Sequence, residues 1–162
     1  MLLLRSIFFT FILPGTVTVL IPYWLISSRE GGFLSSHQLI RYLGLPLIVI
    51  GAAGLLSCIW DFFSAGKGTL APVDPPKHLV VRGLYRYVRN PMYVSVLTIL
   101  LGETIFFNSL WVAVEAAIFF VLVNLFVAYY EEPYLDRRFG DTYKTYKQTV
   151  RRWIPRFRSN AS

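Results

Sequence analysis

Four apolar stretches govern what this chain can become: Leu2 to Ser27, Leu39 to Phe63, Pro91 to Phe107 and Leu110 to Tyr130. A helix needs about 20 residues to cross the hydrocarbon core of a bilayer. Backbone inside lipid must also satisfy its own hydrogen bonds, which a helix does. The sequence therefore predicts an all-α integral membrane protein of about four transmembrane helices, over residues 2–27, 39–63, 91–107 and 110–130. Composition agrees: 55% of residues are hydrophobic and 15% charged, against about 45–50% and about 25% in soluble domains. The 162 residues form a single domain, 1–162. Four crossings leave roughly eighty residues outside the bilayer, enough for one extramembrane site and too few for a separate soluble catalytic domain. Pro14-Gly15 predicts a kink in the first helix, which is read as a retained span because it has no compact small-residue cleavage site.

The charges orient these spans. Segment 64–90 carries Lys67, Lys77, Arg82, Arg86 and Arg89 against Asp74, and the tail 131–162 carries eight basic residues against four acidic ones. Four crossings place both on one face, and the positive-inside rule makes that face cytoplasmic, with both termini on it. Segments 64–90 and 131–158 are then the cytoplasmic pieces, a connector and a tail ending in a short amphipathic helix. The uncharged Asn108-Ser109 predicts a tight helical hairpin on the other side. The net charge of +7 follows from topology, and no nucleic-acid-binding pattern accompanies it. One cysteine, Cys58, and two histidines, His37 and His78, provide neither a disulfide framework nor a cysteine- or histidine-rich metal centre. Cys58 is read as a small buried residue and His37 as solvent-facing.

The connector ends in Lys77-His78-Leu79-Val80-Val81-Arg82-Gly83-Leu84-Tyr85-Arg86-Tyr87-Val88-Arg89-Asn90-Pro91-Met92-Tyr93. Asp74-Pro75-Pro76 gives it a stiff entry, Gly83 allows a tight turn or a close approach to a ligand, and Asn90 before Pro91 reads as a helix N-cap. Arg86 and Arg89 beside that helix start would attract a carboxylate or phosphate. The tyrosines offer flat surfaces to a purine or a cation. The same residues would also serve as an interfacial aromatic belt with snorkelling arginines.

Past the fourth helix comes Glu131-Glu132, read as two acids at a helix C-terminus, where they oppose the dipole. They could hold a cation, a ribose diol or a sulfonium-bearing ligand. Phe139-Gly140 reads as a helix stop. Tyr143, Tyr146 and Val150 form one face of a following amphipathic helix, and Trp153-Ile154-Pro155 ends it against the membrane interface or back over the site. Glu103 and Glu115 fall five residues before and six after the Asn108-Ser109 turn, about 8–9 Å into the hairpin, and are read as structural or interfacial. Asp61, near the cytoplasmic end of the second helix, is a candidate for lining the site.

Arg82–Tyr93 (Gly-x-Tyr-x-x-x-Arg-Asn-Pro-x-Tyr), Glu131-Glu132, Phe139-Gly140-x-x-Tyr-x-x-Tyr and Val150–Pro155, in that order, resemble the isoprenylcysteine carboxyl methyltransferase family. Integral-membrane phospholipid N-methyltransferases share much of the frame. The resemblance covers about half the chain, from Lys77 to Pro155. It implies methyl transfer from S-adenosylmethionine to a lipophilic small molecule or lipid, with membrane lipids as partners and no nucleic acid. It implies a cofactor site in which Lys77, His78, Leu79 and Val80 lie along the cofactor, Tyr85 contacts it, Asn90, Pro91, Met92 and Tyr93 cradle it, and Glu131 holds it from the far side. Arg89 and Glu132 belong to the same expected cofactor-binding set. Methyl transfer asks for alignment and exclusion of water, so no catalytic residue is assigned.

The chain departs from the family pattern in places. Asn90 stands where the family usually has histidine, which removes a titratable group. Ser95 replaces a frequent glycine. Members acting on prenylcysteine carry an arginine one turn before the first acid, and the matching turn here is Phe126-Val127-Ala128, so the partner for a substrate carboxylate is missing near Val127. The alternatives are a reductase related to membrane sterol reductases and using NADPH, which usually has more crossings, and a non-enzymatic membrane scaffold.

Overall fold

Proline and glycine decide most of the irregular features in an otherwise helical chain. The computed structural model describes residues 12, 14–28, 38–61, 64 and 79–155. Among them there is no β-strand. The helices are α1 (Thr16–Ser28), α2 (Leu39–Asp61), α3 (Pro91–Phe107), α4 (Leu110–Phe126), α5 (Glu132–Phe139) and α6 (Asp141–Thr149). A π turn, Val127–Glu131, joins α4 to α5, so one rod of 30 residues runs from Leu110 to Phe139. A second π turn, Thr16–Leu20, opens α1 just after Gly15, where a kink was expected.

Both π turns stand at the same distance from a proline. The Ile21 N–H bonds to the Thr16 carbonyl ahead of Pro22, and the Glu132 N–H bonds to the Val127 carbonyl ahead of Pro133. A proline inside a helix lacks an N–H, and its ring strikes the carbonyl four residues back. Widening the turn by one residue moves that carbonyl aside and lets the helix continue. The fourth helix therefore does not end at Tyr130 as expected, and Glu131-Glu132 sits inside a rod rather than at a helix C-terminus.

Two helices, Leu39–Asp61 with 23 residues and Leu110–Phe139 with 30, are long and apolar enough to cross a membrane. Thr16–Ser28 and Pro91–Phe107 are apolar but shorter. The outward faces of α2 and α4 present Val49, Ile50, Leu56, Ile118, Val121, Leu122 and Leu125, as hydrocarbon contact demands.

Helices gain little from hydrophobicity when their surroundings are equally apolar, so they associate by close backbone packing. The α2–α3 seam works this way. A Cβ added to Gly51 would lie 2.7 Å from Ile99 Cγ1 and 2.8 Å from the Ser95 carbonyl, and one on Gly102 would lie 2.7 Å from the Gly44 carbonyl. Val96 and Leu100 of α3 then meet Val112 and Ala116 of α4, with Val17, Ile26, Leu55 and Phe119 around them.

The α3–α4 hairpin closes as expected. Asn108 is left-handed at φ 55°, its N–H donating to Ile105 O at 3.3 Å and that of Ser109 to Thr104 O at 3.2 Å, the two bonds of a Schellman cap. Gly140, at φ 52°, stops α5 with an N–H bond to Asp136 O at 3.0 Å. Beyond it Tyr143, Tyr146 and Val150 form the expected face, packed with Leu79, Leu135 and Phe139. The last helix stops at Thr149, and Val150 is already extended.

Candidate functional site

Glu131 and Glu132 are adjacent in sequence and go to different partners. Successive side chains on a helix are rotated by about 100°, so the pair cannot face one ligand together. Glu131, at the end of the π turn, accepts a hydrogen bond from the Tyr93 hydroxyl through Oε2 at 3.2 Å. Glu132 opens α5 and is buried, 9% exposed, between two arginines. Arg89 Nη1 lies 2.9 Å from its Oε1, while Arg152 donates from Nε and Nη2 to both its oxygens at 2.8 and 2.7 Å. A two-pronged arginine–carboxylate pair is among the stronger polar contacts a protein makes. Arg89 and Glu132, both expected at the cofactor, are therefore bonded to each other.

The tail returns over the connector. Val88 and Arg151 form a parallel backbone bridge, the Arg89 N–H donating to the Arg151 carbonyl at 2.8 Å. Asn90 occupies the N-cap position of α3 without a side-chain capping bond; its Nδ2 donates instead to the Arg152 carbonyl at 3.3 Å. The improved cap expected from asparagine is thus replaced by a link to the tail. Trp153 folds back over the site: its ring lies 6.5 Å from that of Tyr93 and 5.5 Å from that of Phe120, and its Nε1 donates to Asn124 Oδ1 at 3.1 Å.

Tyr85 sits where these elements meet. It belongs to a 3-10 turn, Gly83–Arg86, started by Gly83 at φ 53°. A Cβ there would strike the Asp61 carboxylate, lying 3.0 Å from its Cγ. The close approach expected of Gly83 is therefore made to a side chain of α2. Asp61 is buried and pairs with Arg82 at 3.8 Å. Tyr146 donates its hydroxyl to the Tyr85 carbonyl at 2.6 Å. Cys58, Glu131, Tyr93 and Tyr146 all act electrostatically on the Tyr85 ring, so α2, α3, the π turn and α6 converge on it. Burial, then Cys58 and Glu131, push the Tyr85 phenol well above its ordinary value. Burial pushes Tyr146 up, and burial followed by the Glu132 charge pushes Tyr143 up to about 12. All three stay protonated at neutral pH, and Tyr146 keeps its proton to donate.

Of the other expected residues, Lys77 and His78 lie outside the described residues. Leu79 packs beneath α6, Val80 is buried, Pro91 is fully enclosed at the start of α3, and Met92 is half-buried beside it. Arg86 is exposed. Val127 is 1% exposed, so an apolar, enclosed side chain fills the place where relatives of the prenylcysteine type carry arginine. Arg152, the tail arginine bonded to Asn90, is held by Glu132. Sequence reasoning passed over Asn124, a polar residue in an apolar helix whose only outward signal was its isolation. Glu103 is buried, and its Oε2 and both carboxylate oxygens of Glu115 have no hydrogen-bond partner.

A membrane protein, helical among the described residues, whose connector and tail meet in a polar cluster at one end of the helices is the class this geometry defines. The chain belongs to the phospholipid methyltransferase family, whose model matches residues 39–142. It is 49% identical over 63 residues to an uncharacterized protein of Haemophilus influenzae, covering 39% of this chain and 100% of that one. It is 30% identical over 129 residues to Protein-S-isoprenylcysteine O-methyltransferase A of Arabidopsis thaliana, 75% of this chain and 62% of the plant protein's length. No solved structure matches.

Proposed function

We propose that this chain is a multi-pass membrane methyltransferase that uses S-adenosylmethionine to methylate a lipophilic acceptor reaching the site from the bilayer. In this reading α1 and α3 join α2 and α4 as membrane helices, and both termini lie in the cytoplasm. The cofactor pocket lies between connector and tail. The observation that carries it is the placement of Glu131: a partly accessible carboxylate with one oxygen held by Tyr93, whose ring lies 6.5 Å from that of Trp153, and near enough to act on Tyr85. Membership of the phospholipid methyltransferase family supports the reaction class.

The residues present suit this cofactor. The Glu131 carboxylate suits a ribose hydroxyl or an ammonium group, Tyr85, Tyr93 and Trp153 suit an adenine or a sulfonium, and the first turn of α3 suits a carboxylate. When bound, the sulfonium supplies an already activated methyl group. The protein's part is to fix Glu131 through Tyr93, to hold the connector against α2 through Gly83 and Asp61, and to keep water out with Trp153 and Phe120. A carboxylate acceptor would find no cation at Val127, and Arg89 and Arg152 are both taken by Glu132.

Incubating the purified protein with S-adenosylmethionine labelled in its methyl group, together with total membrane lipid, tests this directly. The label is expected in the organic phase, dependent on protein and abolished in Glu131→Ala. Cofactor binding without transfer to any lipid fraction would contradict a lipid acceptor.

A further inference from the structure

The tail from Val150 to Pro155 makes most of its hydrogen bonds to the connector, the start of α3 and α5. Its bonds are the Arg89 N–H to Arg151 O, Asn90 to Arg152 O, and the Arg152 guanidinium to Glu132. Trp153 anchors it to the bundle, on Asn124, Tyr93 and Phe120. We propose that Arg152 is a positioning residue, and that its two-pronged bond to Glu132 straps the tail across the start of α3 and thereby sets the Glu131–Tyr93 pair. The ligand half of this proposal rests on the methyltransferase reading; the strap itself does not.

The charges explain why Arg152 is the part to test. Glu132 carries one negative charge against the two positive charges of Arg89 and Arg152. Removing Glu132 strands the largely enclosed Arg89 beside the part-exposed Arg152 with no counter-charge, and the protein then has reason to misfold. Removing Arg152 leaves a balanced Arg89–Glu132 pair, so α5 stays joined to the connector while the strap loses its hold. Glu132 and Glu131 are consecutive residues at the joint between the π turn and α5. A π turn has a looser bonding pattern than an α-helix, so a shift at Glu132 passes directly to Glu131. Adjacent acids thus divide the work, one holding the tail and the other facing the ligand.

Hydrogen exchange on the full chain in detergent micelles reads the strap without any ligand. Arg152→Gln is expected to speed exchange of the Arg89 amide and of residues 150–153 by about tenfold or more, as local opening does, while residues 95–102 of α3 stay protected. Arg152→Lys keeps the charge but loses the fork, and is expected to recover part of the protection. Titration with S-adenosylmethionine then reads positioning: Arg152→Gln should weaken binding on the order of 100-fold, the scale of a displacement of about 1 Å in a positioned group, and Arg152→Lys should fall between. Lys144→Gln, the same charge change on an exposed side chain of α6, should alter neither. Unchanged exchange in Arg152→Gln would overturn the strap. Faster exchange with unchanged affinity would overturn the positioning role. No binding by the unsubstituted protein would refute the methyltransferase reading and leave the strap to be decided by the exchange rates. If Arg152→Gln fails to fold, Asn124→Leu, which frees the Trp153 Nε1 anchor without touching the proposed cofactor residues, is expected to give the same pairing of faster exchange and weaker binding, and unchanged exchange there would overturn the strap.

Discussion

The α2–α3 seam and the clasp between connector and tail are held by opposite means. The seam is close-packed around Gly44, Gly51 and Gly102, which leave no space for a side chain, and among the described residues its one charged contact is Arg41 Nε on the Phe106 carbonyl at 2.8 Å, at its far end. The clasp is Glu132 between Arg89 and Arg152, Tyr146 on the Tyr85 carbonyl and Tyr93 on Glu131. In lipid, shape is the dependable source of helix association. At the bilayer surface, polar groups must be paired because they are partly desolvated. The seam can therefore be rigid and featureless, while the clasp is specific and able to open.

Substitutions separate the two. Gly51→Leu is expected to have the largest effect, forcing α2 off Ser95 and Ile99 and abolishing a monodisperse species in size-exclusion chromatography; even Gly51→Ala should cost about 1–3 kcal/mol in thermal unfolding. Glu132→Ala comes next, at about 3–5 kcal/mol, because it strands the largely enclosed Arg89. A smaller cost for Glu132→Ala than for Gly51→Ala would reverse the ranking. Glu131→Gln should leave unfolding nearly unchanged and weaken cofactor binding by about 10- to 100-fold, the equivalent of a charged hydrogen bond of about 1.5–3 kcal/mol. Tyr146→Phe removes one bond to the Tyr85 carbonyl and should cost about 1 kcal/mol, seen as faster exchange of residues 85–88. Lys144→Gln, on the exposed pair with Asp141, should change nothing measurable.

The apolar helices and their turns were legible in the sequence; the glycine seam and most of the clasp were not. The apolar stretches, the Asn108-Ser109 hairpin, the Gly140 stop and the Tyr143–Tyr146–Val150 face are local features, each set by hydrophobic period or by turn chemistry within a few residues. The clasp joins residues far apart: Asn90 and the Arg152 carbonyl are 62 positions apart, and Tyr146 and the Tyr85 carbonyl 61. No periodicity encodes such a pairing. Motif order brought Tyr85, Tyr93 and Glu131 to one place but could not divide Glu131 from Glu132, because the division depends on the helix continuing through Pro133. Proline there argues for an end to α4, and only the π turn shows how the chain goes on. Asn90 illustrates the same limit. Its type and position both fit a cap, and its side chain is drawn instead to a carbonyl of the tail.

Calorimetric titration of the purified protein with S-adenosylmethionine, run beside Glu131→Gln, tests the central claim most directly. Saturable one-to-one binding that is weakened in Glu131→Gln, with thermal unfolding of the two proteins alike in the absence of cofactor, is the predicted result. No heat of binding at millimolar cofactor, or equal affinity in the two proteins, would contradict a cofactor site built on Glu131.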